Sequence, residues 1–229
     1  MPNFETFEKR IGYQFRERRL LESAFTHRSY LNENRSPGRE HNERLEFLGD
    51  AVLELVVTEF LFAKYPDKPE GDLTAYRAAL VNTISISEAA TKLGINDFLL
   101  LSRGEARDTG RARQIILANA FEALIGALYL DQGYVMAKDF IAKQLFSKAD
   151  EIVEKRLWQD AKSRFQEVAQ ELVGITPSYK LIDQRGPDHD KHFLVGAFIG
   201  LEKIATGEGK SKQEAEQDAA EAALKVKNW

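Results

Sequence analysis

The run Asn42-Glu43-Arg44-Leu45-Glu46-Phe47-Leu48-Gly49-Asp50 constrains this chain more than any other stretch. Glu43, Glu46 and Asp50 stand at spacings of three and four, and a mostly apolar run from Ala51 to Phe62 follows. Such a run reads as a largely buried helix, and positions i, i+3 and i+7 of a helix share one face. The three acidic side chains therefore form a carboxylate stripe. Burying unpaired carboxylates is costly, and a divalent cation relieves that cost; hard oxygen ligands suit Mg²⁺ or Mn²⁺. A lone acidic stripe is ordinarily a solvated face. Here Leu45, Phe47, Leu48, Val52 and Leu53 interleave with it and leave little room for a wide wet surface.

A second segment, Ile115 to Ala127, is also helical in pattern and apolar nearly all round. Its polar interior groups are Asn119 and Glu122, one turn apart. Two buried helices that each carry oxygen ligands on one face can pack to make a divalent-metal site between them.

At these residues the chain closely resembles bacterial ribonuclease III. Asn42–Asp50 matches that family's signature and Leu117–Leu130 its second catalytic segment, and the resemblance runs the whole length. It implies a metal-dependent endonuclease for double-stranded RNA, with Glu46, Asp50, Asn119 and Glu122 as metal ligands. Glu43 and Glu70 match further acidic positions of the family and take supporting catalytic roles, nearer the dimer contact or the valley edge. His27, in Thr26-His27-Arg28-Ser29-Tyr30, also matches a family segment and reads as structural, since a metal already makes the nucleophile. Asn119 departs from the family, which usually carries Asp there. Asn keeps one ligand oxygen and removes a charge, which weakens metal binding.

Composition bounds the reading. The chain has 229 residues, 43% hydrophobic and 30% charged, which suits one large or two ordinary soluble domains. Without cysteine it has neither disulfides nor thiolate chemistry. No apolar run reads as long enough to span a bilayer, and Met1 to Glu5 lacks secretory character, so no membrane partner and a cytoplasmic location are expected. The net charge of −4 and pI near 5.7 argue against a continuous basic surface. Local basic patches beside an acidic metal site remain compatible with both.

Residues 1–149 read as an all-α domain. The first helix ends at Gly12, a second begins at Leu20 and runs towards His27, and Asn32 to Arg39 is a loop. The signature helix ends near Tyr65-Pro66, Glu70 to Leu73 is a turn into a helix through Val81, and Ser85 to Leu93 stops at Gly94. Arg103 to Arg113 reads as a mobile loop, Val135 to Leu157 as a last helix, and 150–158 as a linker. From 159 to 229 the pattern becomes a small α+β domain. Phe165, Val168, Ala169 and Leu172 lie at helical spacing, Tyr179 and Leu181, then Phe193, Val195 and Ala197, alternate as strands, and Leu201 to Gly207 is a third strand. The final helix places Ala215, Ala219, Ala222 and Val226 on one face. By resemblance this α-β-β-β-α order is a double-stranded-RNA-binding domain.

Ser211-Lys212-Gln213-Glu214 is a capping box that starts the final helix at Ser211. Lys210 and Lys212 flank that helix N-terminus, where backbone N–H groups favour phosphate. By resemblance, Lys210, Ser211 and Lys212 hold phosphates while Gln166 and His189 reach successive minor grooves of a duplex read by shape. The resemblance also implies a homodimer with two sites in one valley, and products with 5′-phosphate and 3′-hydroxyl ends and short 3′ overhangs. Processing of rRNA precursors and mRNA and turnover of structured RNA are the implied duties. The alternatives are a double-stranded-RNA-binding protein impaired in catalysis by Asn119, and a scaffold whose acidic helices serve only dimerisation.

Overall fold

The computed structural model describes residues 2–34, 38–156, 158–187 and 191–229. The chain divides into two units, Met1–Trp158 and Gln159–Trp229. In the first, α1 (Phe4–Ile11) stops at Gly12, whose φ of +77° is the left-handed cap a glycine adopts without strain. Next come α2 (Arg18–Ala24), α3 (Arg28–Glu33), α4 (Glu43–Lys64), α5 (Glu70–Val81), α6 (Thr83–Lys92), α7 (Arg111–Gln132), α8 (Tyr134–Leu145) and α9 (Ala149–Glu154).

α4 and α7 form the centre of this unit and pack more extensively than any other pair of elements. Two glycines set their crossing. A Cβ on Gly49 would overlap the carbonyl oxygen of Glu122, and a Cβ on Gly126 would overlap that of Leu45. The two backbones therefore touch directly, with Leu53, Val56, Phe121, Leu124 and Ile125 fully buried around them. By length and composition α7 could cross a membrane, contrary to the sequence expectation, yet most of it is buried inside this unit.

Several boundaries differ from those expected. The second helix ends at Ala24, because Phe25 to His27 pair with Leu100: Leu100 N–H donates to Phe25 O at 2.8 Å and His27 N–H to Leu100 O at 3.0 Å. Glu70 opens α5 rather than forming a turn, behind Pro69. The Arg103–Arg113 stretch is held rather than loose. It contains a 3₁₀ turn at Glu105–Arg107, and Arg113 donates to Glu105 O at 2.6 Å and Asp108 O at 3.0 Å. The last helix breaks into α8 and α9 at a 3₁₀ turn, Phe146–Lys148. Residues 150–156 are not a free linker: α9 buries Ile152 and packs on α5, and the Trp158 ring meets Tyr76 edge-on at 5.1 Å.

The second unit is α10 (Ala161–Val173), an antiparallel sheet in the order β1 (Ser178–Arg185), β2 (His192–Ile199), β3 (Glu202–Gly209), and α11 (Lys212–Lys227). α11 lies on β3 through small residues. A Cβ on Gly207 would overlap the Ala219 nitrogen, and one on Gly209 would come within 2.5 Å of the Ala215 nitrogen. The buried face of α11 is Ala215, Ala219, Ala220, Ala223 and Leu224. It is rotated from the expected stripe, leaving Ala222 half-buried and Val226 exposed. Phe165 and Ala169 face this core, whereas Leu172 is exposed near the end of α10.

Candidate metal centre and nucleic-acid interface

The glycine crossing brings the acidic face of α4 to the polar positions of α7. Glu46, Asn119 and Glu122 are half-buried there and Asp50 is exposed. Burial pushes the Glu122 carboxyl up to about 7, and the charges of Asp50 and Glu46 add to the rise. Glu46 is also raised, by burial first and then by Glu43 and Asp50, while a hydrogen bond with the Asn119 amide pulls it down. These reciprocal effects place Glu46, Asp50, Asn119 and Glu122 on one patch. Among the described residues no three acidic or histidine groups close into a ready-made metal sphere. The like charges of Glu46, Asp50 and Glu122 raise the cost of ionising the Glu46 and Glu122 carboxyls, a repulsion that a cation would remove. The donor set is oxygen only, so its chemistry fits Mg²⁺ or Mn²⁺.

Two other predicted acids behave differently. Glu43 opens α4 and lies 3.7 Å from Arg28 and 3.8 Å from His41, and its charge still acts on Glu46. Glu70 stands away from the patch in this protomer: it accepts from the Thr74 hydroxyl at 2.9 Å and is absent from the charges that act on Glu46 and Glu122. It lines a cavity of about 420 Å³ with Phe62, Lys68 and Arg77. The expected interleaving also fails at Phe47, which is 82% exposed.

In the second unit Ser211 caps α11, accepting from Glu214 N–H at 3.1 Å, and Glu214 in turn accepts from Lys210 N–H at 3.0 Å. The reciprocal bond thus falls one residue before the cap. Lys210 and Lys212 are exposed at this helix start, and Gln166 is exposed on α10. α10 and α11 are tied by Lys162–Glu216 at 2.6 Å and by the Gln217 amide donating to Asp160 at 3.0 Å. The faces carrying Gln166 and Lys212 are therefore held in fixed relation. His189 lies outside the described residues.

Sequence reasoning missed the role of Gly49 and Gly126 and the Arg113 clamp. The glycines had a readable signal: glycine inside a strongly apolar helix is disfavoured by about 1 kcal/mol and calls for a packing reason.

Known proteins share this architecture. The Ribonuclease-III-like family matches residues 17–149, and the double-stranded RNA binding motif matches residues 161–227. A Ribonuclease 3 of a Nitratiruptor species is 44% identical over 226 residues, covering 99% of this chain and 97% of that one. A Ribonuclease 3 of Enterococcus faecalis is 46% identical over 218 residues, covering 95% and 94%. A solved structure of the ribonuclease III nuclease domain from Campylobacter jejuni, described for flexibility in its dimer-forming region, superposes with a TM-score of 0.55 at 43% identity. It covers 62% of this chain and 98% of that domain.

Proposed function

The chain belongs to the ribonuclease III family of endoribonucleases, and from that premise we propose a metal-dependent hydrolysis carried by Glu46, Asp50, Asn119 and Glu122. The supporting observation is the Glu122 carboxyl, pushed to about 7 where burial and two neighbouring carboxylates disfavour its charge. Such a group is poised to accept a cation. When bound, divalent metal supplies an activated water and neutralises charge on the leaving oxygen. The protein's own share is positional. α4 and α7 fix the four oxygen donors at a backbone contact, and Glu43 adds its charge at the N-terminal end of the stripe. The second unit holds the duplex through Lys210, Ser211, Lys212 and Gln166. Cleavage leaves 5′-phosphate and 3′-hydroxyl ends on rRNA precursors and other structured RNA, in the cytoplasm. The deciding assay is cutting of a labelled RNA duplex, first with Mg²⁺ or Mn²⁺ and then with chelator. Cleavage that persists in chelator would refute the proposal.

A homodimer suits the exposed face of α4. Phe47 stands beside a cavity of about 610 Å³ lined in part by Leu20, Leu45, Leu48 and Leu130. An aromatic side chain next to an apolar hollow on one surface is self-complementary about a two-fold axis.

Asn119→Asp adds an anionic ligand oxygen with almost no change in volume. The half-saturating Mg²⁺ concentration for cleavage should fall by about tenfold, with duplex affinity in chelator unaltered. An unchanged metal requirement would put residue 119 outside the metal's coordination. The double variant Lys210→Ala, Lys212→Ala should weaken duplex binding across sequences and reduce the log–log salt slope by about 2. Single-stranded RNA competing as well as duplex would overturn the assignment of this surface.

A further inference from the structure

Ser29 decides which ring nitrogen of His27 carries the proton. Nδ1 of His27 accepts the Ser29 backbone N–H at 3.3 Å, as the cap of α3. The Ser29 Oγ lies 2.8 Å from the same nitrogen and accepts the Ser102 backbone N–H at 3.1 Å. A hydroxyl has one proton to give, and with Ser102 occupying an acceptor direction that proton turns to Nδ1. Nδ1 thus receives two donors, and the single proton of the neutral ring sits on Nε2. Burial holds the ring below the usual histidine range; among the charges that act on it, His41 and Arg113 add to the lowering while Glu105 and Glu43 oppose it. The ring is half-buried, Nε2 has no hydrogen-bond partner among the described residues, and it is not sealed from solvent. Of the acids whose charge reaches it, Glu105 acts more strongly and Glu43 next; Glu43 is one turn before Glu46, at the N-terminal end of the carboxylate stripe, and is paired with the exposed Arg28, the neighbour of His27 in sequence.

We propose that His27 positions substrate, its Nε2–H donating to a backbone oxygen of the RNA strand that lies along the N-terminal end of that stripe. This rests on the duplex-cleavage reading above. A ring whose Nδ1 is already filled by two donors is a fixed, uncharged donor rather than a proton shuttle, so His27 orients the strand and takes no part in proton transfer. The acceptor is a phosphate oxygen or a 2′-oxygen, and both present the same lone pair to the ring.

The test is long-range ¹H–¹⁵N NMR of the full chain in chelator, with a short blunt RNA duplex added and binding followed in the same sample by fluorescence anisotropy. The His27→Gln spectrum assigns the signals. The expected result is an Nε2–H tautomer whose Nε2 signal moves on duplex addition while Nδ1 stays put. A DNA duplex of the same sequence that also moves Nε2 assigns the acceptor as phosphate; movement with RNA alone assigns the 2′-oxygen. An Nδ1–H tautomer, or an unmoved Nε2 while the duplex is bound, overturns the proposal. A duplex that does not bind overturns the duplex reading itself, and this proposal with it. In kinetics, His27→Phe should raise KM about fivefold at unchanged kcat, the worth of one neutral hydrogen bond, and His27→Gln, which keeps an N–H, should restore most of that. Equal losses in both variants, accompanied by a lowered Tm, would mean that the residue only braces the loop.

Discussion

Glu122→Gln should leave duplex RNA bound and uncut. The substitution keeps the side chain's size and removes the charge a divalent cation would pair with. Turnover is expected to fall about 10³-fold, the scale of losing a group that stabilises transition-state charge. Duplex affinity should change by less than about twofold, because Lys210 and Lys212 belong to the other unit. The same variant carries a stability signature. Glu122 titrates near 7 in the folded chain against an ordinary 4.5. Between those values the native state holds more protons than the unfolded one, so stability in chelator declines as pH rises through about 7. Gln removes that decline. At pH 8 the variant should be more stable by ~1–2 kcal/mol after allowance for solvent screening, and at pH 4 the two should coincide. Thermal melts at both values check this, and coincident melts at pH 8 would show that the carboxylate is not strained.

Gly126→Ala should be a strongly damaging single-methyl change in the nuclease unit. Helix propensity alone predicts a gain of about 1 kcal/mol. The new Cβ would instead overlap the Leu45 carbonyl oxygen, and neither backbone can yield without separating α4 from α7. The expected net loss is about 2–3 kcal/mol, or about 4–12 °C in Tm for a unit of this size. Cleavage should fall further than the folded fraction does, since separation moves Glu46 and Asp50 away from Glu122. Gly71→Ala is the control: it too is helical, and a Cβ there meets nothing within 4 Å. Equal melting of the two variants would mean that the crossing tolerates a methyl.

The sequence reported helices better than it reported boundaries. Leu45, Val52 and Leu53 were legible because a 3.6-residue period marks a buried face, and Ser211 because a capping box has a fixed spacing. The break at Phe25 was not, since it depends on pairing with Leu100, far along the chain. The Arg113 clamp was hidden for the same reason: its acceptors are backbone oxygens, which any residue offers. Phe47 looked like core because periodicity reports apolar character and not what covers it. Glu70 matched a pattern position, yet that match says nothing of its distance from Glu46 within one protomer. On α11, Ala222 and Val226 fit a stripe at loose spacing, whereas the helix that sets Ala215 and Ala219 against Gly207 and Gly209 also buries Ala220 and Ala223.

The bare crossing of α4 on α7 has a further consequence. Side chains hop between rotamers, and a gap propped open by a leucine or a methionine takes several widths over time. Backbone carbonyl and Cα atoms have no rotamers. Where Gly49 meets Glu122 and Gly126 meets Leu45, the gap has one value, set by van der Waals radii. The spacing between the two halves of the acidic patch is thus calibrated by atoms that cannot be substituted. A protein engineer who wants another spacing at the same bare contact must shift one helix along the other by a whole turn, about 5.4 Å, because any side chain added at Gly49 or Gly126 pushes the two backbones apart.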